Sequence, residues 1–433
     1  MDPMIIGVLI IVLLLVLIML GLHIGLAMGL AGILGVTMLK GFPTAVGIAA
    51  SKPYTWVSMY TLSVIPLFVL MGYFAFSGGI SRELYDVAYK WVGRLPGGLA
   101  MASAGACAIF GACTGSSVAG TAAMGRVALP EMKRYHYEDK LATGTLAASG
   151  TLGVMIPPSI NSVIYAVTCG VPVGDQLIAG VVPGILITAL YMLMIWVRSS
   201  INPSLGPPAR GITWKASFRS IPKVMLPLLV LMAAVGGIYG GIFTPTEGGA
   251  CGAFATFLIA LFRKGVTWSN LKETLAGAAG VVGLTYLILA GAGLFSGFLA
   301  LSGIPRALGL FFGGLHLSKT LIVISMLLPF IPLGMFIDSI SMILLTMPSL
   351  YPSVELLGLD PIWFGVLVIM MVEIGLVSPP LGINVYVIQG LAPEVPIQDI
   401  FKGILWFIVM TLIAAGITIA FPGVATWLPS TMR

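Results

Sequence analysis

Asp338 stands in FIPLGMFIDSISMI, a run with no other ionisable residue and no neighbouring loop that would face water. An ionised carboxylate at membrane depth is costly unless a cation or hydrogen-bond donors compensate it, which makes the position a candidate cation site. Ser339 follows directly. Offset by 222 residues, Ser116 and Ser117 occupy the corresponding places in GACTGSSVAG. Each of these small, polar stretches is followed by a double proline, in GTLGVMIPPSINSVIY (150–165) and in VEIGLVSPPLGINVY (372–386). A Pro-Pro step cannot sustain helical hydrogen bonding, so each segment should be two half-helices joined by extended backbone. Freed carbonyls, joined by Ser or Asp oxygens, make an all-oxygen cage suited to a hard monovalent cation such as Na+. The C-terminal ends of half-helices add negative dipole. The competing reading of Ser116 and Ser117 is close helix packing by small residues.

Half-helices also begin just past each Pro-Pro, and there the dipole is positive and free N–H groups point inward, a seat for a carboxylate. Ser159, Asn161 and Asn384 lie in these starts, placed to donate to substrate oxygens or to cap the helices. Glu373 is expected to brace the second break by hydrogen bonding or to take a proton. Glu247, in TPTEGG, reads as a capping residue at a turn, and Arg126 as a side chain snorkelling to the nearby cytoplasmic surface. His23, His136 and His316 show no metal-ligand spacing. No HExxH, Walker, Gly-x-Ser-x-Gly or paired-acid pattern occurs, which leaves an ATP-driven pump without its motor.

The elements that must position these groups are membrane helices. Of the 433 residues 58% are hydrophobic and 8% charged, with a mean hydropathy of +1.08, more apolar surface than a soluble core uses. The four cysteines fall in apolar segments and read as free thiols. Uninterrupted spans lie near 4–20, 22–39, 57–78, 177–197, 224–242, 248–262, 274–300 and 403–421, with the broken helices at 141–170 and 362–392. Runs 97–130 and 320–350 are each interrupted centrally and read as re-entrant hairpins. Segments 79–94 and 303–319, mixing charged and aromatic positions at helical spacing, read as amphipathic arms along the membrane faces.

Further matches fall in order near the same offset: Pro130 with Pro352, Gly79-Ile80-x-Arg82 with Gly303-Ile304-x-Arg306, Val171–Asp175 with Val395–Asp399, and Lys40-Gly41 with Lys264-Gly265. The chain therefore divides into a first repeat (1–200), a linker (201–223) and a second repeat (224–433). Duplicated halves broken by Gly and Pro at matching places mark a secondary transporter. With both hairpins re-entrant, most of the 21 Lys and Arg gather on one side, leaving Lys40, Lys52, Arg306, Lys319 and Arg433 opposite. The crowded side is then cytoplasmic. Five crossings separate Pro130 from Pro352, so the repeats are inverted; ten crossings in all put both termini in the periplasm. The formal charge of +6 is scattered over loops, an orientation signal for a lipid bilayer and not a nucleic-acid surface.

GACTGSSVAGTAAMGRVALPEM, GTLGVMIPPS, TPTEGGACGAF and EIGLVSPPLGINVYV together resemble the large membrane (M) subunit of tripartite ATP-independent periplasmic (TRAP) transporters, over essentially the whole chain. The resemblance implies an all-α, elevator-type transporter of the ion-transporter superfamily in the bacterial inner membrane, driven by Na+. It further implies a small four-helix membrane subunit (Q) as a separate chain, and a periplasmic binding protein (P) that delivers an organic acid. Family sodium sites would map onto Ser116, Ser117, Gly153 and Pro158 in one repeat, and onto Asp338, Gly375, Val377 and Pro380, beside Ser339, in the other. The alternatives are a stand-alone sodium/anion symporter of the same fold and, from another class, a membrane-embedded enzyme or channel.

Overall fold

The structure is a computed structural model and describes residues 2–209, 211–263 and 267–432. The match at Lys264-Gly265, and the contributions of Arg210, Lys264 and Arg433 to the charge division, lie outside those residues. Every regular element among the described residues is helical. In the first half α1 (Pro3–Met19), α2 (Ile24–Lys40), α3 (Phe42–Val57) and α4 (Val64–Ser77) precede a short arm, α5 (Ile80–Val92). A hairpin follows, α6 (Gly98–Thr114) and α7 (Ser117–Arg134), then the pieces of a broken helix, α8 (Asp139–Ser149), α9 (Leu152–Met155) and α10 (Ile160–Cys169). The half closes with α11 (Val173–Ala179) and α12 (Val181–Ile201).

The second half repeats the order. After α13 (Trp214–Tyr239), α14 (Pro245–Phe262) and the 35-residue α15 (Trp268–Ser302) comes an arm, α16 (Ile304–Gly313). The hairpin is α17 (Lys319–Leu327) and α18 (Phe330–Gly334) against α19 (Ser339–Leu356); the broken helix is α20 (Pro361–Val377) and α21 (Ile383–Leu391). Finally come α22 (Ile397–Ala420) and α23 (Gly423–Ser430). Two details differ from the sequence reading. Helix α3 was not assigned, and α13 begins inside the segment read as linker, leaving 202–213 as the connection.

Among the described residues six helical stretches are long and apolar enough to cross a bilayer, and α8–α10, bent by 44° at the first Pro-Pro, makes a seventh. Ten crossings would also require α1, α2 and α20, each 17 residues. That is about 25 Å of helix, the short end of what spans a hydrocarbon core.

Two packed bodies emerge. In one, α2 and α15 meet so closely that a Cβ on Gly32 would stand 2.7 Å from the Leu294 carbonyl carbon, while Ser77 bonds Thr274 (2.8 Å) and the Tyr286 hydroxyl donates to Leu62 O (3.1 Å). In the other, hairpins and broken helices of both halves are tied together. The Tyr165 hydroxyl donates to Pro361 O (2.7 Å), Tyr191 bonds Thr411 (2.7 Å), and Lys133 pairs with Glu394. The arms join the bodies, α5 leading from α4 into α6 and α16 from α15 into α17. Each arm starts at a glycine in the left-handed region, Gly79 (φ 72°) and Gly303 (φ 75°), where a side chain would strain the sharp exit from the preceding helix. Glu247 caps α14 as expected: its carboxylate accepts from Thr244 N (2.8 Å) and its own N–H donates to Thr244 Oγ1 (3.3 Å).

Candidate functional site

Each hairpin turns at its oxygen-bearing residues because those residues cap the second helix of the hairpin. Ser116, in extended conformation (φ −129°, ψ 124°), is the N-cap of α7 and accepts from Ala119 N at 3.5 Å. Asp338 (φ −68°, ψ 163°) is the N-cap of α19; Oδ1 accepts from Ile340 N (3.0 Å) and Ser341 N (3.1 Å), and Oδ2 from the Ser341 hydroxyl (2.5 Å). The helix start thus compensates the carboxylate by three donors, two on Oδ1 and one on Oδ2, and Oδ2 keeps a lone pair for a cation. The Thr114 hydroxyl bridges Gly111 O (3.2 Å) and Ser116 O (3.4 Å), closing the first turn.

Behind each tip runs the broken helix of the same half. A Cβ on Gly115 would lie 3.0 Å from Pro158 O, so the first tip abuts the Pro157–Pro158 carbonyls. The breaks are seated by matched glycine pairs. A Cβ on Gly153 would meet the Gly111 Cα at 2.7 Å, and one on Gly375 the Gly334 Cα at 2.6 Å. Only bare backbone allows so close an approach. The carbonyl ends of α9 and α20 therefore stop beside the hairpin tips, with extended residues Ile156 (ψ 126°) and Ser378 (ψ 140°) leading into cis Pro157–Pro158 and Pro379–Pro380. Val377, buried, is the last helical residue before the second break.

The two halves then exchange side chains. Asn384, on α21 of the second half, donates from Nδ2 to Ser117 Oγ (2.6 Å) on the first tip and to Ala147 O (3.2 Å). Asn161, on α10 of the first half, accepts at Oδ1 from Ser339 Oγ (3.3 Å) on the second tip. Both asparagines are buried, and each keeps one amide atom without a partner, Asn161 Nδ2 and Asn384 Oδ1. Such buried orphans call for water, an ion or a ligand. Ser159, fully buried, N-caps α10 through Ser162 N (3.2 Å) and bonds Val154 O, so its hydroxyl is engaged locally.

Between the tips lies a cleft of about 80 Å³ lined by Ser116, Ser117, Asn161, Asp338 and Ser339. Val154 and Leu376 also line it, whereas their neighbours Gly153, Gly375 and Val377, and Pro158 and Pro380, are not among its lining residues; Asn384 reaches it through Ser117. The hydrogen bond expected to brace the second break from Glu373 is not made. The residue is 1% exposed and neither carboxyl oxygen has a partner. Sequence reasoning found the tips and the asparagines but missed the exchange between halves, and no local pattern signals a bond across 267 residues.

Paired hairpin tips packed on broken helices, within a chain of apolar helices long enough to cross a bilayer, fit a polytopic membrane transport protein. The family model "Tripartite ATP-independent periplasmic transporter, DctM component" matches residues 11–424. The C4-dicarboxylate TRAP transporter large permease protein DctM of Pseudomonas aeruginosa is 34% identical over 397 residues, covering 91% of this chain and 92% of that one. The sialic acid TRAP transporter large permease protein SiaM of Vibrio cholerae is 30% identical, with coverages of 89% and 90%. The fold matches the Alcanivorax borkumensis YdaH transporter at a TM-score of 0.63 and 14% identity, over 88% of this chain and 89% of that one. The chain belongs to the DctM family of TRAP transporter large permeases, and its relatives are permeases, not enzymes.

Proposed function

We propose that this chain couples downhill Na+ entry to uptake of an organic acid anion across a bacterial inner membrane. It would work with a small membrane subunit and a periplasmic binding protein that delivers the solute. The observation that carries the reading is the reciprocal exchange of Asn384 with Ser117 and Asn161 with Ser339, which places both tips and both broken helices around one cleft. Relatives named for C4-dicarboxylate and for sialic acid support an organic acid as the solute.

One sodium ion sits at Ser116 and Ser117 with backbone oxygen from Gly153 and Pro158. The other sits at Asp338 and Ser339 with Gly375, Val377 and Pro380. The anion lies between them against Asn161, Asn384 and the α10 start at Ser159. Both cations neutralise repulsion between the Asp338 carboxylate and the arriving anion. The halves are inverted in the membrane with both termini periplasmic, and the body carried by α5 and α16 moves past the scaffold as an elevator. Two Na+ entering with a monoanion carry one net charge, which gains about 2.3 kcal/mol per 100 mV of membrane potential.

Proteoliposomes holding the permease, its small subunit and the binding protein test this. An imposed Na+ gradient should drive accumulation of a monoanionic acid such as sialic acid, and an inside-negative potential should enhance it. Uptake that persists on a proton gradient without sodium refutes sodium coupling. Uptake undiminished without the binding protein assigns a stand-alone symporter instead.

A further inference from the structure

Arg126 does not reach only for the membrane surface. It sits where two cavities meet on the scaffold side of the first hairpin. One, of about 250 Å³, opens between α4, α6 and α7 and is lined by Tyr73, Phe76, Phe110, Thr114 and Ser116, with Arg126 its single charged residue. It shares Ser116 and Val281 with the cleft between the tips. The other, of about 600 Å³, is a charged vestibule bounded by Arg82, Asp86, Glu131 and Lys223 and shares Arg126 with the first. Ten residues separate Ser116 from Arg126 on one helix, about 15 Å. The three spaces therefore run in series: tip cleft, apolar chamber, vestibule.

Arg126 is exposed into these spaces and makes no ion pair or hydrogen bond among the described residues. The vestibule's other charges are differently placed. Glu83 is paired with Arg263 (2.7 Å), and Asp86 with Lys90 (2.7 Å) and Lys223 (3.4 Å), which leaves Glu131 as the vestibule's unpaired acid among the described residues. A guanidinium with no internal partner, at the neck of a chamber with apolar walls and three hydroxyls, has the chemistry of a receptor for one anionic head on a small organic body.

We propose that this chamber is a second binding station for the transported acid. Its carboxylate or sulfonate is held by Arg126, and its hydroxyl-bearing part lies towards Thr114, Ser116 and Tyr73. The assignment rests on the transport reading above and adds a site to it. An anion leaving the tips is received by a fixed positive charge before it meets Glu131, so its release is stepwise.

The test does not require transport. The full chain with Cys251→Ser and Ala122→Cys, in nanodiscs of phosphatidylcholine, presents one thiol to the chamber, since Cys107, Cys113 and Cys169 are buried. Its reaction with anionic sulfonatoethyl methanethiosulfonate, itself a small organic sulfonate, should outpace reaction with the cationic trimethylammonium reagent at least fivefold. Arg126→Gln should abolish that preference and Arg126→Lys should keep most of it. Equal rates for the two reagents with Arg126 present, or a preference that survives Arg126→Gln, overturn the proposal. A preference lost only when phosphatidylglycerol is added assigns Arg126 to a lipid phosphate and overturns it too. In proteoliposomes the same Arg126→Gln change should raise KM for the acid about tenfold and leave the sodium concentration for half-maximal uptake unchanged. Labelling of the Ala122→Cys protein as expected, with no acid accumulated in proteoliposomes, would instead count against the transport reading alone.

Discussion

Asp338 was conspicuous in the sequence because a lone carboxylate at membrane depth has few innocent explanations. The structure gives it one role, capping α19, and leaves room for another. Asp338→Asn separates the two: asparagine caps a helix as well as aspartate but carries no charge. Folding should survive, while sodium-coupled uptake falls by two orders of magnitude or more at physiological sodium. Ser339→Ala should cost less, since water replaces one neutral hydroxyl more easily. Asp360→Asn, at the exposed N-cap of α20, should match wild type. Uptake by Asp338→Asn with unchanged sodium dependence would make the carboxylate purely structural. The asparagines were visible as polar residues at half-helix starts, but their bonds were not, because each partner lies in the other half. A double-mutant cycle on Asn384→Ala and Ser117→Ala, read by thermal unfolding in detergent, should show a coupling of about 1–3 kcal/mol, the scale of a buried donor left unsatisfied. Strict additivity would remove the exchange from the native state.

At the level of elements, the Pro-Pro steps announced both breaks, and charged and aromatic spacing announced both arms. The helix bounds were legible where a breaker stood and not elsewhere. Helix α3 lacks a uniform apolar stripe, and the basic sequence at 214–223 is as compatible with a loop as with the start of α13. What no pattern revealed is why Gly153 and Gly375 must be glycine, since each answers to a glycine about 40 residues away on a hairpin. Gly153→Ala and Gly375→Ala should each destabilise by about 1–3 kcal/mol through overpacking. Gly390→Ala, on α21 with open space around its Cα, is the control and should be neutral or mildly stabilising. Equal melting temperatures for all three would mean that the hairpins do not seat on the breaks.

For the molecule as a whole, the proposed orientation rests on the division of Lys and Arg, and the proposed inversion of the halves on an odd number of crossings between matched prolines. Single cysteines at Arg134 and Glu355, both exposed, in a background without the four native ones, should react with impermeant maleimide from opposite faces of the membrane. Reaction from one face would end the inverted reading. Position 353 would be a poor reporter, as Ser353 is buried against α16.

The exchange between Asn161 and Ser339 on one side and Asn384 and Ser117 on the other has the form of an isologous interface, in which residue i of one partner meets j of the other and j meets i. Here both partners are lengths of one polypeptide. Such reciprocity is what a two-fold homodimer leaves behind when its protomers are fused end to end. A half-length ancestor inserted in both orientations would already have owned this cleft, built jointly by two copies and complete in neither. It follows that residues 1–209 and 210–433, produced as separate chains in one membrane, should reassemble into a working transporter, while each alone should be silent.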